Sequence, residues 1–513
     1  MTSLKTATIF LIFFAILSKI LGIAREIITA YLFGTTSSLD AYLIGATIPN
    51  FIMHLIVGST FLVAFIPVFN KSIAKNEEEQ AWRFASNIIN LSIIIFGIIL
   101  TPITILLAPL IVKLFAPGFS ESTFNLSVSL TRVMLPSMVF FVLTTISQGI
   151  LNSYEHFTTP GLKSTTLNLT IVLVMILGYK TFGIYSLAVG FLFASILQLL
   201  VQLPALIPRI KNYFFSIDFS DRNLQNFIGL FLPLTLVMGI NQLNILVDRM
   251  IASTLSEGSI SALNYSSHLM QTSENIFGVS LATVIFPRLT STSYKGDWSQ
   301  FENLLSKCLN VLFYSTLPVT FGFIFFGKPI ITILFQRGFF DTASTNITNY
   351  ALFYYSFAAF FMSANYVLIR TLYALEKIKI TVVISSISLI LNIILNILLS
   401  RLIGIGGITL ATTISSGVLF LMAINIITKH IQIKDFEKIC RKFFLIFIIE
   451  LVSFFIGWVI YSSLKYSYIL NFVISISISF LIMVLFSEMF RIEEYLLVKE
   501  IFVSKFSKKK LEV

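Results

Sequence analysis

Long apolar runs separated by short polar stretches fill this chain from residue 7 to residue 490. Crossing a hydrocarbon core of about 30 Å takes roughly 20 helical residues, and run after run meets that length. The pattern predicts spans near 7–33, 40–69, 84–112, 127–151, 161–180, 184–207, 225–253, 259–287, 303–327, 344–372, 379–400, 405–428, 441–463 and 467–490. Strands of a membrane barrel would alternate polar and apolar residues over about 10 positions, whereas these runs are continuous. The predicted fold class is therefore an all-α polytopic membrane protein with about fourteen transmembrane helices.

The polar stretches orient the spans. Loops on the cytoplasmic side are enriched in Lys and Arg, and the loops after even-numbered spans together with the C-terminal tail hold about 22 of them against about 6 in the other loops. Both termini are expected in the cytoplasm. A repeat runs through the same layout. Leu114-Phe115-Ala116-Pro117-Gly118-Phe119 recurs as Leu334-Phe335-Gln336-Arg337-Gly338-Phe339, and Pro67 recurs as Pro287. Leu151-Asn152-Ser153-Tyr154-Glu155 recurs as Leu372-Tyr373-Ala374-Leu375-Glu376, and Ser186-Leu187-Ala188 as Thr409-Leu410-Ala411. The nearly constant offset implies duplication of six spans, an even number, so both halves share one orientation, as in parallel-repeat transporters. The expected organisation is a six-helix lobe over 1–210, a linker over 211–224, a second six-helix lobe over 225–430, two extra helices over 431–490 and a basic tail over 491–513. Substrate is expected between the lobes.

Composition agrees with this picture: 56% hydrophobic and 12% charged residues, with mean hydropathy +0.91. The net charge of +11 raises nucleic-acid binding, but its placement in alternate loops and the tail argues for membrane topology and contact with anionic lipid instead. The basic tail Lys505 to Lys510 suits such a leaflet, and the linker charges from Arg209 to Arg222 read as a solvated face. Two cysteines, Cys308 and Cys440, suggest no disulfide framework. The histidines, His54, His156, His268 and His430, have no metal-ligand spacing, and no phosphate loop is present. The chain therefore reads as a transporter and not as an enzyme; uphill work would need an ion gradient, the membrane potential or a separate motor.

Candidate chemistry lies in the polar residues of the spans, each of which is costly to insert. Thr47, Asn50 and His54 share one helical face of the second span, and His268, Gln271 and Asn275 repeat that spacing in the eighth. Two polar stripes in equivalent places suit a hydrophilic cleft; hydrogen bonding between helices is the alternative. Lys19 and Arg25 supply cations to the first span, with Glu26 a local partner, and such a pair suits a phosphate group. Snorkelling to the interface is the competing reading for either one. Asp248 in the seventh span, Asn392 and Asn396 in the eleventh and Thr412 in the twelfth offer oxygen ligands for a hard monovalent cation such as sodium. A hydrogen-bonded structural cluster is the alternative.

Ser18-Lys19-Ile20-Leu21-Gly22-Ile23-Ala24-Arg25-Glu26, Phe33-Gly34, Asp40-Ala41, Pro49-Asn50 and Ala64-Phe65-Ile66-Pro67 together resemble the N-terminal signature of the lipid II flippase (MurJ, or MviN) family. Ala116-Pro117-Gly118-Phe119, Asn264-Tyr265, Ile276-Phe277-Gly278-Val279 and Ile285-Phe286-Pro287-Arg288-Leu289 extend the resemblance, which covers about 1–430. It implies a member of the multidrug/oligosaccharidyl-lipid/polysaccharide exporter superfamily in the cytoplasmic membrane of a bacterium. Such a protein moves an undecaprenyl-pyrophosphate-linked glycopeptide from the inner to the outer leaflet by alternating access, with membrane lipids and cell-wall synthesis proteins as further partners. The family's cavity cations fall on Lys19 and Arg25 and its acidic position on Asp40. Two departures stand out: Phe51-Ile52-Met53-His54 follows the Pro-Asn pair where basic residues are usual, and His268 stands where Arg is usual. Histidine protonation then carries part of the anion affinity. The alternatives are a flippase for another undecaprenyl-linked oligosaccharide (an O-antigen or capsule unit), an ion-coupled drug exporter with a cation-favouring pocket, and a membrane scaffold for cell-wall enzymes.

Overall fold

The computed structural model describes residues 4–54, 59–210, 212–215, 217–430, 436–496 and 499. Lys211 and the basic run 505–510 lie outside them. Every regular element among the described residues is helical. In chain order these are α1 (Leu4–Phe33), α2 (Ser37–Ile52), α3 (Ser59–Ala74), α4 (Glu78–Ser92), α5 (Thr101–Phe115), α6 (Glu121–Met134), α7 (Ser137–Ser153), α8 (Thr158–Gly161), α9 (Lys163–Phe182) and α10 (Tyr185–Ile210). Then follow α11 (Arg222–Ala252), α12 (Ser259–Ser273), α13 (Ser280–Lys295), α14 (Trp298–Phe335), α15 (Thr342–Ser356), α16 (Ala358–Ala374), α17 (Ile378–Ile403), α18 (Ile405–His430), α19 (Phe436–Ser463) and α20 (Tyr468–Met489). π-helical turns, Ile93–Leu100 and Glu274–Val279, join α4 to α5 and α12 to α13.

These helices follow the predicted spans in order. Among the described residues nine are long and apolar enough to cross a membrane, and α15 with α16, bent by 47°, makes a tenth. The four predicted spans outside that set are the first, second, seventh and eighth, which carry the polar residues. Local chemistry sets the ends. Thr36, Ser120 and Asp297 each accept a hydrogen bond from the third backbone N–H beyond them, and Asp221 from the second. Such caps satisfy donors that the first helical turn leaves free.

The duplication is visible in the backbone. Left-handed residues recur at the same offset: Asn76 with Gly296 (φ 60° and 69°), Glu155 with Glu376 (57° and 58°), and Gly183 with Gly404 (52° and 58°). Two of these positions tolerate a non-glycine residue at a conformation that L-residues rarely adopt, so both halves use the same loop geometry at equivalent breaks.

The chain packs as two compact units, Met1–Ser261 with Arg337–Asp341, and Ala262–Gln336 with Thr342–Val513. The repeat divides near the linker, whereas the packing boundary falls after α11, which lies against α3. In the first unit, small and polar side chains let helices approach. Ser127 Oγ donates to the Ala41 carbonyl (3.0 Å), joining α6 to α2, and Asn168 Nδ2 donates to the Ser18 carbonyl (3.1 Å), joining α9 to α1. Lipid tails are as apolar as leucine, so such contacts and close packing replace the hydrophobic drive between helices. In the second unit α17 packs on α18 and α19 on α20, with Phe313, Phe321, Phe326 and Phe454 in the buried core.

The linker's Asp218 and Arg222 are exposed, as a solvated face requires, while its backbone is pinned. Asn87 Nδ2 donates to the Asp218 carbonyl (2.6 Å) while the Asp218 N–H donates to Asn87 Oδ1 (3.1 Å). The Phe214 N–H donates to Ser86 Oγ (3.0 Å), and Asn90 Nδ2 to the Phe214 carbonyl (3.2 Å). Nearby, Tyr154 donates to Glu78 (2.6 Å), accepts from Trp82 Nε1 (3.1 Å) and lies under the Arg209 guanidinium (4.4 Å). Burial, reinforced by Glu78, pushes the Tyr154 hydroxyl up to about 12, so it stays a donor. Asn87→Ala is expected to destabilise the protein by about 1–3 kcal/mol, since it strands two backbone groups, and to open the segment around Phe214 and Asp218 to limited proteolysis. An unchanged digestion pattern and melting midpoint would dismiss the pinning.

Candidate functional site

The polar residues of α1, α2 and α11 all belong to the first unit. On α1, Arg25 Nη2 meets Glu26 Oε1 at 2.8 Å, with both side chains largely buried (25% and 15% exposed). The local pairing considered from the sequence is present. Lys19, two turns earlier, is exposed. On α2, Thr47 is buried, Asn50 is half-buried, and His54, in the π turn just beyond Ile52, is exposed.

The cation that the sequence reading passed over is Arg249. Its Nη1 donates to Thr47 Oγ1 (2.6 Å) and to the Leu43 carbonyl (3.0 Å), and so binds α11 to the polar face of α2. Asp248 beside it drew the attention as a carboxylate, and neighbours along a helix do not face each other. Arg249, in the last turn of α11, could have been found from its own cost, since a half-buried arginine at the end of a span needs acceptors. Thr47 Oγ1 also donates to the Leu43 carbonyl (2.8 Å), so the helical carbonyl and the hydroxyl form one acceptor pair for the guanidinium.

Asp40 is built into a different device. It is 3% exposed, and its carboxylate accepts from the Gly258 N–H (2.7 Å), the Ser261 N–H (2.7 Å) and the Ser261 hydroxyl (2.5 Å). These donors open α12, so Asp40 closes the start of one helix from the start of another. An anion at a helix N-terminus is favoured by the unpaired N–H groups and the dipole. Both carboxylate oxygens are thus engaged by the protein in this conformation.

The two copies of the repeated loop pack crosswise beside it. The Phe339 N–H donates to the Tyr31 carbonyl at the end of α1 (2.9 Å), and the Gly118 N–H to Ser253 Oγ just past α11 (3.4 Å). A Cβ at Gly338 would lie 2.3 Å from the Tyr31 oxygen, and one at Gly118 2.4 Å from the Ser253 oxygen. Glycine is required at both because backbone meets backbone there.

In the second unit, His268 on α12 is half-buried, while Gln271 and Asn275 are exposed. Glu274 lies between the latter two on the π turn, and the Tyr366 hydroxyl of α16 is hydrogen-bonded to its carboxyl. The sequence reading missed this acid because it lies off the stripe of three. Of the residues proposed for sodium, the structure brings three together: Asn396 Nδ2 donates to Asn392 Oδ1 (2.8 Å), and Asn392 Nδ2 to Thr412 Oγ1 and Ser415 Oγ (both 3.3 Å). Asn392 and Asn396 are buried. Asp248 belongs to the other unit, on α11, where it is half-buried.

The family described as Lipid II flippase MurJ matches residues 29–482. A probable lipid II flippase MurJ of Buchnera aphidicola subsp. Acyrthosiphon pisum is 30% identical over 411 residues, covering 79% of this chain and 80% of that protein. The lipid II flippase MurJ of Burkholderia cenocepacia is 28% identical over 411 residues, 78% of each chain. Among solved structures, lipid II flippase MurJ in an inward closed conformation has a TM-score of 0.80 at 29% identity, covering 93% of this chain and 98% of that one. An inward-facing multidrug resistance transporter of the MATE family has a TM-score of 0.68 at 16% identity over 82% of this chain and 96% of its own, a likeness of fold. With most of its length matched, the chain belongs to the lipid II flippase MurJ family.

Proposed function

We propose that this chain moves lipid II, the undecaprenyl-pyrophosphate-linked peptidoglycan precursor, from the inner to the outer leaflet of the bacterial cytoplasmic membrane. The observation that carries the reading is a pair of guanidinium groups, Arg25 and Arg249, held within the apolar spans of one unit, Arg249 on Thr47 and the Leu43 carbonyl. Guanidinium forks suit pyrophosphate oxygens, and Lys19 adds a mobile point charge. His54 and His268 add charge only when protonated. The polyprenyl tail stays in lipid, both termini lie in the cytoplasm, and the cycle is alternating access. In that cycle the Asp40 cap on the start of α12 breaks and re-forms. Sodium is proposed as a coupling ion acting on the Asn392, Asn396 and Thr412 group, to be read as a melting shift in sodium over potassium.

The test is rescue of a bacterium depleted of its own lipid II flippase. Wild type should restore growth and clear lipid II from the inner leaflet, and Lys19→Ala and Arg25→Ala should fall short at matched expression. Failure of wild type in a host where a relative from another species succeeds would overturn the reading. So would full rescue by Arg25→Ala, or accumulation of a different lipid-linked glycan on depletion from the native host.

A further inference from the structure

The last two helices carry an acid that none of the chemistry above uses. Glu450 sits midway along α19, is 0% exposed, and has no hydrogen-bond partner for either carboxyl oxygen among the described residues. The faces of α19 that meet lipid are marked by Phe444, Phe447, Phe455 and Trp458, all exposed. Glu450 instead points into the packing of α14, α19 and α20, which contact one another pairwise. An isolated ionised carboxylate in such a place is expensive by many kcal/mol, so the group needs a compensating cation.

The surroundings decide which one. The seam between α19 and α20 is tight: a Cβ at Gly457 would lie 1.8 Å from Ser479 Oγ. Ser453 and Ser479 donate to carbonyls of their own helices, Ile449 (2.7 Å) and Ser475 (3.0 Å), and so close a seam leaves little room for an alkali ion with its shell of oxygens. A proton needs neither cage nor space. We propose that Glu450 is a proton-binding site that exchanges with water through the hydroxyl and carboxyl groups lying between it and the end of the helix pair.

That route is on hand. Tyr314 of α14 pairs with Ser487 of α20 (3.1 Å), and both Glu450 and Glu494 act electrostatically on Tyr314. Glu494, 3% exposed, meets Lys442 at 2.7 Å, and Lys442 also meets the exposed Glu493 at 2.8 Å. Glu450 acts on Tyr314 of α14, as do Glu494 and Tyr495 from the turn after α20, while Lys442 of α19 pairs with Glu494 and Lys307 of α14 acts on Glu493. An exposed ion pair, a pair of hydroxyls and the enclosed acid thus lie in one helix packing, with no hydrogen bond from Glu450 to the others among the described residues.

The experiment is infrared difference spectroscopy on the full chain in lipid nanodiscs, stepping pH. Wild type should show a carboxylic acid C=O band that is lost as pH rises and is missing from Glu450→Gln. Tyr314→Phe should keep the band but slow its shift on transfer to deuterium oxide. Where the Gln variant does not fold, Glu450→Asp keeps the acid on a shorter arm and should move the band. A wild-type band indifferent to pH while the protein stays folded would overturn the proposal, as would a band that persists in Glu450→Gln or one that answers to sodium at fixed pH. The readout does not depend on which lipid the chain carries.

Discussion

Asp40→Ala is expected to lower the stability of the protein by about 2–4 kcal/mol and to abolish rescue of flippase-depleted cells. The side chain accepts three hydrogen bonds, from the Gly258 and Ser261 N–H groups and the Ser261 hydroxyl, and Asp40 is 3% exposed. Loss of an ordinary helix cap costs about 1 kcal/mol. Here the acceptor is a carboxylate and the donors are buried, so several unsatisfied groups remain when it goes. Asp40→Asn keeps one acceptor and should give an intermediate loss. Each 1.4 kcal/mol removed from the cap shifts the equilibrium between its formed and broken states about tenfold. A cysteine placed at Ser261 should then react faster with a membrane-impermeant thiol reagent in the Asp40→Ala background. Unchanged melting together with unchanged labelling would sink the idea that this contact is a latch.

Arg249→Ala is expected to weaken binding of an undecaprenyl pyrophosphate by roughly 10- to 100-fold, the range for losing a charge-assisted hydrogen bond of about 1.5–3 kcal/mol. Arg249→Lys should recover only part, because an ammonium lacks the planar fork. Thr47→Ala serves as the control for positioning. It removes one of the two acceptors that hold the guanidinium, 2.6 Å away, but leaves the charge, so its effect should be the smaller. Binding isotherms with the purified protein read all three. Equal affinity in wild type and Arg249→Ala would remove Arg249 from the recognition of the head group and leave it as a clamp between α2 and α11.

The membrane class, the order of the spans and the duplication were legible in the sequence because they are local or periodic. Hydropathy over 20 or so residues is a property of one helix, and a repeat needs only an offset. The left-handed Glu155 and Glu376 lie in the segments that the sequence comparison had matched. Candidate residues were legible by type, since charge and amide groups in apolar spans are rare. Their partners were not. Arg249 and Thr47 are 202 residues apart, and Asp40 and Ser261 are 221 apart; neither contact has a periodicity, and the adjacency of Asp248 drew attention from Arg249.

By itself, then, the sequence determined that many apolar helices must cross a membrane in two similar halves, with cations and amides in the first, second, seventh and eighth spans. Only the tertiary structure decided how those groups are used. It engaged Asp40 with the start of α12, set Arg249 on the acceptors of α2, tied the linker to Ser86 and Asn87, and enclosed Glu450. The physical reason for all of these but Glu450 is that a buried polar group takes its partner wherever packing brings one within about 3 Å, and packing, unlike hydropathy, is set by residues far apart in the chain.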